Sequence, residues 1–443
     1  MSRPAGFLER LGLHRPELRA WAMYDWANSA FMTTVIAAVF PIFFEKEAAA
    51  GLDPAVALSR YSWASTLSVL IVAAMTPVLG ALADYTAMKK KMLGAFLSVG
   101  LLATAGMYFI QRGQWLLAVT LFVLGNIGAF GSMAFYDSLL PHIAREDETD
   151  RVSSAGYAIG YLGGGLLLTV NAAWILWPSA FGLAGEGAAV RLSFLSVAIW
   201  WLGFSIPLFR GVPEPPRAIE ADEQARQNPM AVAFKRVGET FGELRTFRQA
   251  FLLLVAFAIY NDGINTIIRM ATIYGAQMGL ATSTLIPAIL MVQFVGVPFT
   301  FLFGWLAGSF GAKRSIFLSL VVYTGISLLG FFMTTAAHFY VLAFLVATVQ
   351  GGSQALSRSM FATMIPRYKS SEFFAFFGIF EKFTGVLGPA IFGVVAAATG
   401  SGRLAILSVI GFFVAGGFLL SFVNLQEGQR AARAAEAGVR TLP

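Results

Sequence analysis

The sequence predicts an all-α polytopic membrane protein, with about twelve transmembrane helices in two pseudo-symmetric six-helix bundles. Three observations carry that reading. Of the 443 residues, 57% are hydrophobic and 12% charged, about half the charged share of a soluble domain, and the mean hydropathy is +0.70. Mostly apolar runs of roughly 18 residues or more recur along the whole length. Each can cross a ~30 Å hydrocarbon core, and none shows the short alternation of a barrel strand. Landmarks in the first part of the chain return in the second at a nearly constant interval, the mark of an internal duplication.

The chain opens with an arm at residues 1–20 that is basic and partly polar from Arg3 to Arg19. The apolar run that follows, Trp21 to Phe44, is too long for the core of a cleavable signal. Helices are expected over 21–44, 61–83, 92–111, 115–140, 152–176 and 191–209, which form a first bundle at 21–210. A second bundle at 250–424 is expected from helices over 250–274, 284–307, 315–335, 338–361, 373–399 and 404–424. Residues 211–249 read as a polar linker that starts with Val212-Pro213-Glu214-Pro215-Pro216. Phe234, Val237, Phe241 and Leu244 recur in it at helical spacing, so it either lies along the membrane as a surface helix or stays irregular. The tail, 425–443, is expected to be a short frayed helix.

An even number of crossings puts both termini on one side. Most of the 31 Lys and Arg fall on that side. The other side receives only Lys46, Arg60, Arg112, Arg191 and Arg403, while Arg269 and Lys382 lie inside helices. This bias places both termini in the cytoplasm, and a bacterial inner membrane is the expected location. It also accounts for the net charge of +7 without a nucleic-acid partner. The chain has no cysteine, which excludes disulfides, thiolate chemistry and Cys-ligated zinc.

The repeated landmarks are specific. Gly80-Ala81-Leu82-Ala83-Asp84, followed by Lys89, Lys90 and Lys91, returns as Gly304-Trp305-Leu306-Ala307-Gly308 followed by Lys313 and Arg314. Ser138-Leu139-Leu140-Pro141 matches the segment ending Met364-Ile365-Pro366. Ala22-Met23-Tyr24-Asp25-Trp26-Ala27-Asn28 pairs with Tyr260-Asn261-Asp262-Gly263-Ile264-Asn265. In each copy the Asp and Asn are three residues apart and share a helix face. An acid at membrane depth is tolerated mainly where it lines a cavity or finds a partner.

The 80–91 motif resembles the loop between helices two and three of the major facilitator superfamily, and 304–314 resembles its degenerate copy, with Gly308 in place of the acid. Within that superfamily, Trp21 to Phe31, Tyr260-Asn261-Asp262-Gly263 and Gly351 to Glu372 resemble the vacuole-effluxer family. Tyr157 to Gly165 and the stretch from Glu381-Lys382-Phe383 through Gly388-Pro389 add to the likeness. Eukaryotic members of that family are described as autophagy-linked amino-acid effluxers. The resemblance implies the major facilitator fold, secondary transport by alternating access and an efflux direction. It also implies that Asp84, with Lys89 and Lys90, forms a conformational latch.

Asp25 and Asn28 share a stripe with Ser29 and Met32; Asp262, Asn265, Thr266 and Arg269 form the matching stripe. Tyr24, Asp25, Asn28, Tyr260, Asp262, Asn265, Arg269 and Gln350 are the expected substrate-binding residues. Arg269 can hold a carboxylate bidentately, and an acid can hold an amine, so the set suits a zwitterion. The competing reading is that Asp25 or Asp262 pairs with Arg269 and only locks the bundle. Asp25, Asp262 and Glu381 are candidate proton carriers. Glu381 and Lys382 point roughly 100° apart on a helix, so at most one is expected to face the cavity squarely. Asp137, with Arg145 or Arg151, and Arg358 from the second half are expected gate residues. Gly163-Gly164-Gly165, with no Lys after it, serves close packing or a gating bend.

No cofactor or metal is expected. The three His (His14, His142, His338) fall near helix ends, and no G-x-S-x-G, H-E-x-x-H or Walker loop occurs. That argues against an enzyme or an ATP-driven pump. The function expected is secondary transport of a small polar solute, an amino acid or related zwitterion. A lipid or lysolipid flippase and a sugar or peptide permease stay open as alternatives. Its expected partners are the solute, protons and membrane lipids, and a monomer is expected.

Overall fold

The structure, a computed structural model, describes residues 6–219, 228–243, 246–277, 282–383, 385 and 387–442. Among them are twelve helices long and apolar enough to cross a membrane. The first six are Pro16–Ala48, Val56–Thr86, Lys89–Phe109, Trp115–Ile143, Thr149–Leu176 and Glu186–Gly211. The second six are Arg248–Ala271, Pro287–Phe310, Ala312–Phe331, Ala336–Thr363, Arg367–Thr399 and Gly402–Ser421. Helices are the form these runs must take, because only an internally bonded backbone is tolerated in hydrocarbon. They build two six-helix halves. The fifth span packs along the eighth and tenth, and the eleventh along the second and fourth, so the seam between the halves is helix on helix.

Glycine sets how close those crossings come. A Cβ on Gly80 would lie 2.7 Å from the Ser371 carbonyl oxygen, and one on Gly304 would lie 2.8 Å from Ser154 Cβ. Gly163 and Gly164 press against the backbone of the first span at Trp26 and Ser29, while Gly165 faces Gln293 of the eighth. This triple glycine therefore serves close packing.

Several of the described spans depart from a plain α-helix, the twelfth by an interruption at Val409 between Gly402–Ser408 and Ile410–Ser421. The first widens to π-helical turns over Phe31–Val39 and Phe44–Ala48. The eleventh consists of two helices, Ser370–Phe383 and Leu387–Thr399, with Gly385 between them at φ +86°, a left-handed conformation that suits glycine. A single helix over 373–399 is the sequence expectation, so the break is a correction.

The linker does contain a helix, Pro229–Glu243, but its buried face is not the expected stripe. Val232, Ala233, Arg236 and Thr240 are buried, and Phe234 is exposed. The helix lies along the second span. Leu244 and the Phe241 side chain lie outside the described residues. The tail forms a helix, Leu425–Glu436, and then a strand. Strand β1 (Arg217–Ile219) of the linker and strand β2 (Arg440–Leu442) of the tail pair antiparallel, Arg217 opposite Leu442 and Ile219 opposite Arg440.

Candidate functional site

A guanidinium from the second half sits among carboxylates of the first. Arg358, on the tenth span, is fully buried. Its Nη1 donates to Asp137 Oδ1 at 2.9 Å and approaches Asp25 Oδ2 at 3.4 Å. Its Nε donates to Ser153 Oγ and its Nη2 to the Ser153 carbonyl, both at 2.9 Å. The Tyr136 hydroxyl donates to Asp25 Oδ2 at 2.7 Å. Aromatic faces enclose the cation: Tyr157 at 4.4 Å, Trp21 at 5.0 Å and Tyr136 at 5.7 Å from their centroids. Gly156 leaves the room, since a Cβ there would lie 2.5 Å from Asp25 Oδ2. Five donors on Arg suit two carboxylates and a serine at once, which Lys cannot do with that geometry.

A second tie lies nearer the end that carries both termini. Asp84 is buried and ion-paired to Lys89. It accepts the Ser371 N–H at 3.3 Å and the Glu372 N–H at 3.0 Å, the first turn of the Ser370–Phe383 helix, where an anion is stabilised by the helix dipole. Lys89 Nζ donates to Ser370 Oγ at 2.8 Å and Ser371 Oγ at 2.9 Å. Ser371 Oγ meets Ser138 Oγ at 3.0 Å, and Ser359 Oγ donates to Asp150 Oδ1 at 2.5 Å. The linker joins in through Thr240, hydrogen-bonded to Glu372. Among the described residues, these ties join the halves near the end carrying the termini.

From Asp137 a cleft runs between the halves to Glu381 and Lys382, walled by Phe130, Met133 and Phe374. Both charged residues line it, joined at 3.2 Å, with Lys382 also 4.8 Å from the Phe130 ring centroid. The expectation that at most one faces the cavity is corrected, because long side chains converge even when their Cβ atoms diverge. One turn further on, Asp262 Oδ1 accepts the N–H of Gly385 at 2.6 Å and of Gly388 at 3.1 Å. Asp262 therefore fastens the break in the eleventh span. Arg269 Nη1 donates to the Gly385 carbonyl at 3.2 Å and is within electrostatic reach of Tyr61 on the second span.

The other expected residues divide. Gln350 meets Tyr161, a fifth-span side chain that inserts beside Gly351, so it lies on the seam. Asn265 is half-buried beside Gly385. Tyr24 turns into its own half, against Tyr136, Ser132, Trp201 and Asn28, and Asn28 is buried there with it. Tyr260 likewise turns inward, its hydroxyl 2.5 Å from Ser357 Oγ. Asp25 pairs with Arg358, not Arg269, and Asp137 takes Arg358 rather than Arg145 or Arg151. Arg145 pairs within its own half to Glu148 at 2.9 Å. Lys90 Nζ holds the Phe209 and Val212 carbonyls at 2.8 and 2.6 Å, at the end of the sixth span. Neither reaches the seam through these bonds. Sequence reasoning missed Ser153, Tyr136 and Asp150. Their only signal was position, near Pro141 or at the start of the fifth span.

Two six-helix halves with a charged seam define a membrane transporter of the major facilitator class. The fold is that of the proton:xylose symporter XylE bound to 6-bromo-6-deoxy-D-glucose, with TM-score 0.69, 15% identity, and 97% of this chain and 98% of that chain covered. FucP in the outward conformation matches with TM-score 0.67 and 12% identity over 94% of this chain and 99% of that one. The chain belongs to the family described as "Vacuole effluxer Atg22 like", whose model matches residues 56–433. It is 38% identical over 408 residues to the uncharacterized MFS-type transporter YxiO of Bacillus subtilis (strain 168), covering 91% of this chain and 94% of that protein. It is 26% identical over 322 residues to autophagy-related protein 22 of Yarrowia lipolytica (strain CLIB 122 / E 150), covering 65% of this chain and 52% of the fungal protein. Family and fold are those of transporters, not enzymes.

Proposed function

We propose that this chain is a secondary transporter that moves a small zwitterionic solute, an amino acid or a close relative, by alternating access. One observation carries the substrate class: fixed charges of both signs follow one another along the seam, Asp137, Glu381 with Lys382, then Asp262 and Arg269. A solute with an ammonium and a carboxylate finds a partner for each end there. With both termini in a bacterial cytoplasm, the ties at Arg358 and Asp84 make this the conformation closed to the cytoplasm. The description of the family as a vacuole effluxer supports export as the direction. Proton coupling fits the surplus of carboxylates at Arg358, two acids for one cation, and transport indifferent to a collapsed proton gradient would end that part of the reading.

The reading is tested by thermal stabilisation of the purified protein across amino acids, dipeptides, sugars and lysophospholipids. The expected result is a shift with amino acids that disappears in Arg269→Ala. A shift with sugars or lysolipids alone would contradict the zwitterion and leave Asp262 and Arg269 as structural clamps.

A further inference from the structure

The C-terminal tail crosses the seam. Its helix, Leu425–Glu436, is carried by the second half: Glu427 bonds Gln249 at 2.8 Å, and Glu436 accepts the Arg367 N–H at 2.8 Å. Gly428 lies so close to Met364 that a Cβ would come within 2.6 Å of its sulfur. The same helix then reaches the first half, where Arg433 Nη2 donates to both oxygens of Glu146, at 2.6 and 2.7 Å. A groove roofed by Ala432, Arg433 and Glu436 has Pro141 and Ala144 on one wall and Thr363 and Ile365 on the other. The tail therefore covers the line along which the halves would part.

The chain makes a second crossing a few residues later, where β2 pairs with β1 of the linker. That stretch of linker is fastened to the first half. Arg217 Nε donates to the Tyr85 carbonyl at 2.7 Å and its guanidinium lies 4.4 Å from the Tyr85 ring centroid. Glu214 accepts the Lys89 N–H at 2.6 Å and the Lys90 N–H at 2.9 Å. The tail is thus held to its own half at one end and to the opposite half at two places.

We propose that the tail is a clasp: the Arg433–Glu146 pair and the β1–β2 pairing hold the termini-bearing end shut, and both release before that end opens. The clasp rests on the alternating-access reading above. It sets the balance between the two conformations without touching the charged seam. Each element is modest, an exposed ion pair and a three-residue pairing, which suits a contact that must break in every cycle.

Because the chain has no cysteine, introduced thiols can be spin-labelled without background. Lys91→Cys with Arg314→Cys reports the termini-bearing end, and Arg112→Cys with Ala337→Cys reports the opposite end; all four positions are exposed. Electron–electron distance distributions are compared for the full chain, Arg433→Ala, the Glu146→Arg/Arg433→Glu exchange, and a chain stopped after Ala437. Arg433→Ala is expected to raise the open-to-closed ratio at the termini-bearing end roughly two- to fivefold, and the exchange to restore it. The shortened chain, which keeps Arg433 and loses β2, is expected to shift in the same direction. Distributions that move when an amino acid is added but are identical in all tail variants overturn the clasp alone. Distributions that never move at either end, in any variant, overturn alternating access and the clasp with it.

Discussion

Arg358→Met takes the cation out of the seam and keeps most of its length. In the present conformation Arg358 satisfies Asp137 and Asp25 and donates twice to Ser153. Removing one partner of a buried ion pair typically costs about 3–5 kcal/mol, because the remaining charge stays buried and unpaired. These bonds cross from one half to the other, so the loss falls on the closed arrangement, while a seam opened to water spares the carboxylates most of it. The equilibrium should move toward opening by about 100-fold, the lower end of that range converted at 1.4 kcal/mol per decade. A thiol at Ser138→Cys reads this out, since Ser138 is fully buried beside Ser371 on the seam. Maleimide labelling of Ser138→Cys is expected to be slow in the otherwise unaltered chain and at least tenfold faster with Arg358→Met. An equal rate in a variant that is folded by circular dichroism would refute the view that Arg358 holds the halves together.

Two further perturbations act on neighbouring elements. Gly156→Ala puts a methyl group 2.5 Å from Asp25 Oδ2 and 3.0 Å from Arg358 Nη2; it should loosen the same tie by overpacking, about 1–3 kcal/mol, and speed Ser138→Cys labelling less than Arg358→Met does. At Glu214, in the linker, burial raises the carboxyl above its ordinary value, only partly offset by the Lys90 and Lys89 N–H groups. A raised carboxyl contributes most when protonated, so its contribution is full below about pH 4.3, the unfolded value, and is lost as pH rises through the folded one. Glu214→Gln should flatten the melting temperature against pH across that interval, and an unchanged slope would remove Glu214 as its source.

The spans were legible because a bilayer demands long apolar runs, and the matching Asp84 and Gly308 loops showed the duplication. Arg358 and Asp137 could be placed near one end from their positions in helices ten and four, but not matched to each other. Nothing in a sequence says that a guanidinium on the tenth span reaches Asp25 on the first. Tyr24 lies one position from Asp25 and Tyr260 two positions from Asp262, and helical residues one or two apart point about 100° or 200° away from each other. Both turn into their own halves. The break at Gly385 hid in a run apolar enough to be one helix. The β1–β2 pairing was invisible, since three-residue strands at opposite ends of the polar regions carry no period to read. In the linker, helical spacing allows a helix, but its buried face mixes Arg236 and Thr240 with Val232 and Ala233, so no apolar stripe marks it.

The central claim, a path for a zwitterion between the halves, is tested most directly by exchange of labelled amino acids in proteoliposomes preloaded with the unlabelled solute. The account predicts exchange by the unaltered protein. It predicts at least a tenfold loss in Asp262→Asn, whose neutral amide weakens the hold on Gly385 and Gly388 and offers no charge to an ammonium, while expression and melting temperature stay near those of the parent. Exchange at the parent rate in Asp262→Asn, or none with any zwitterion in the unaltered protein, would contradict it.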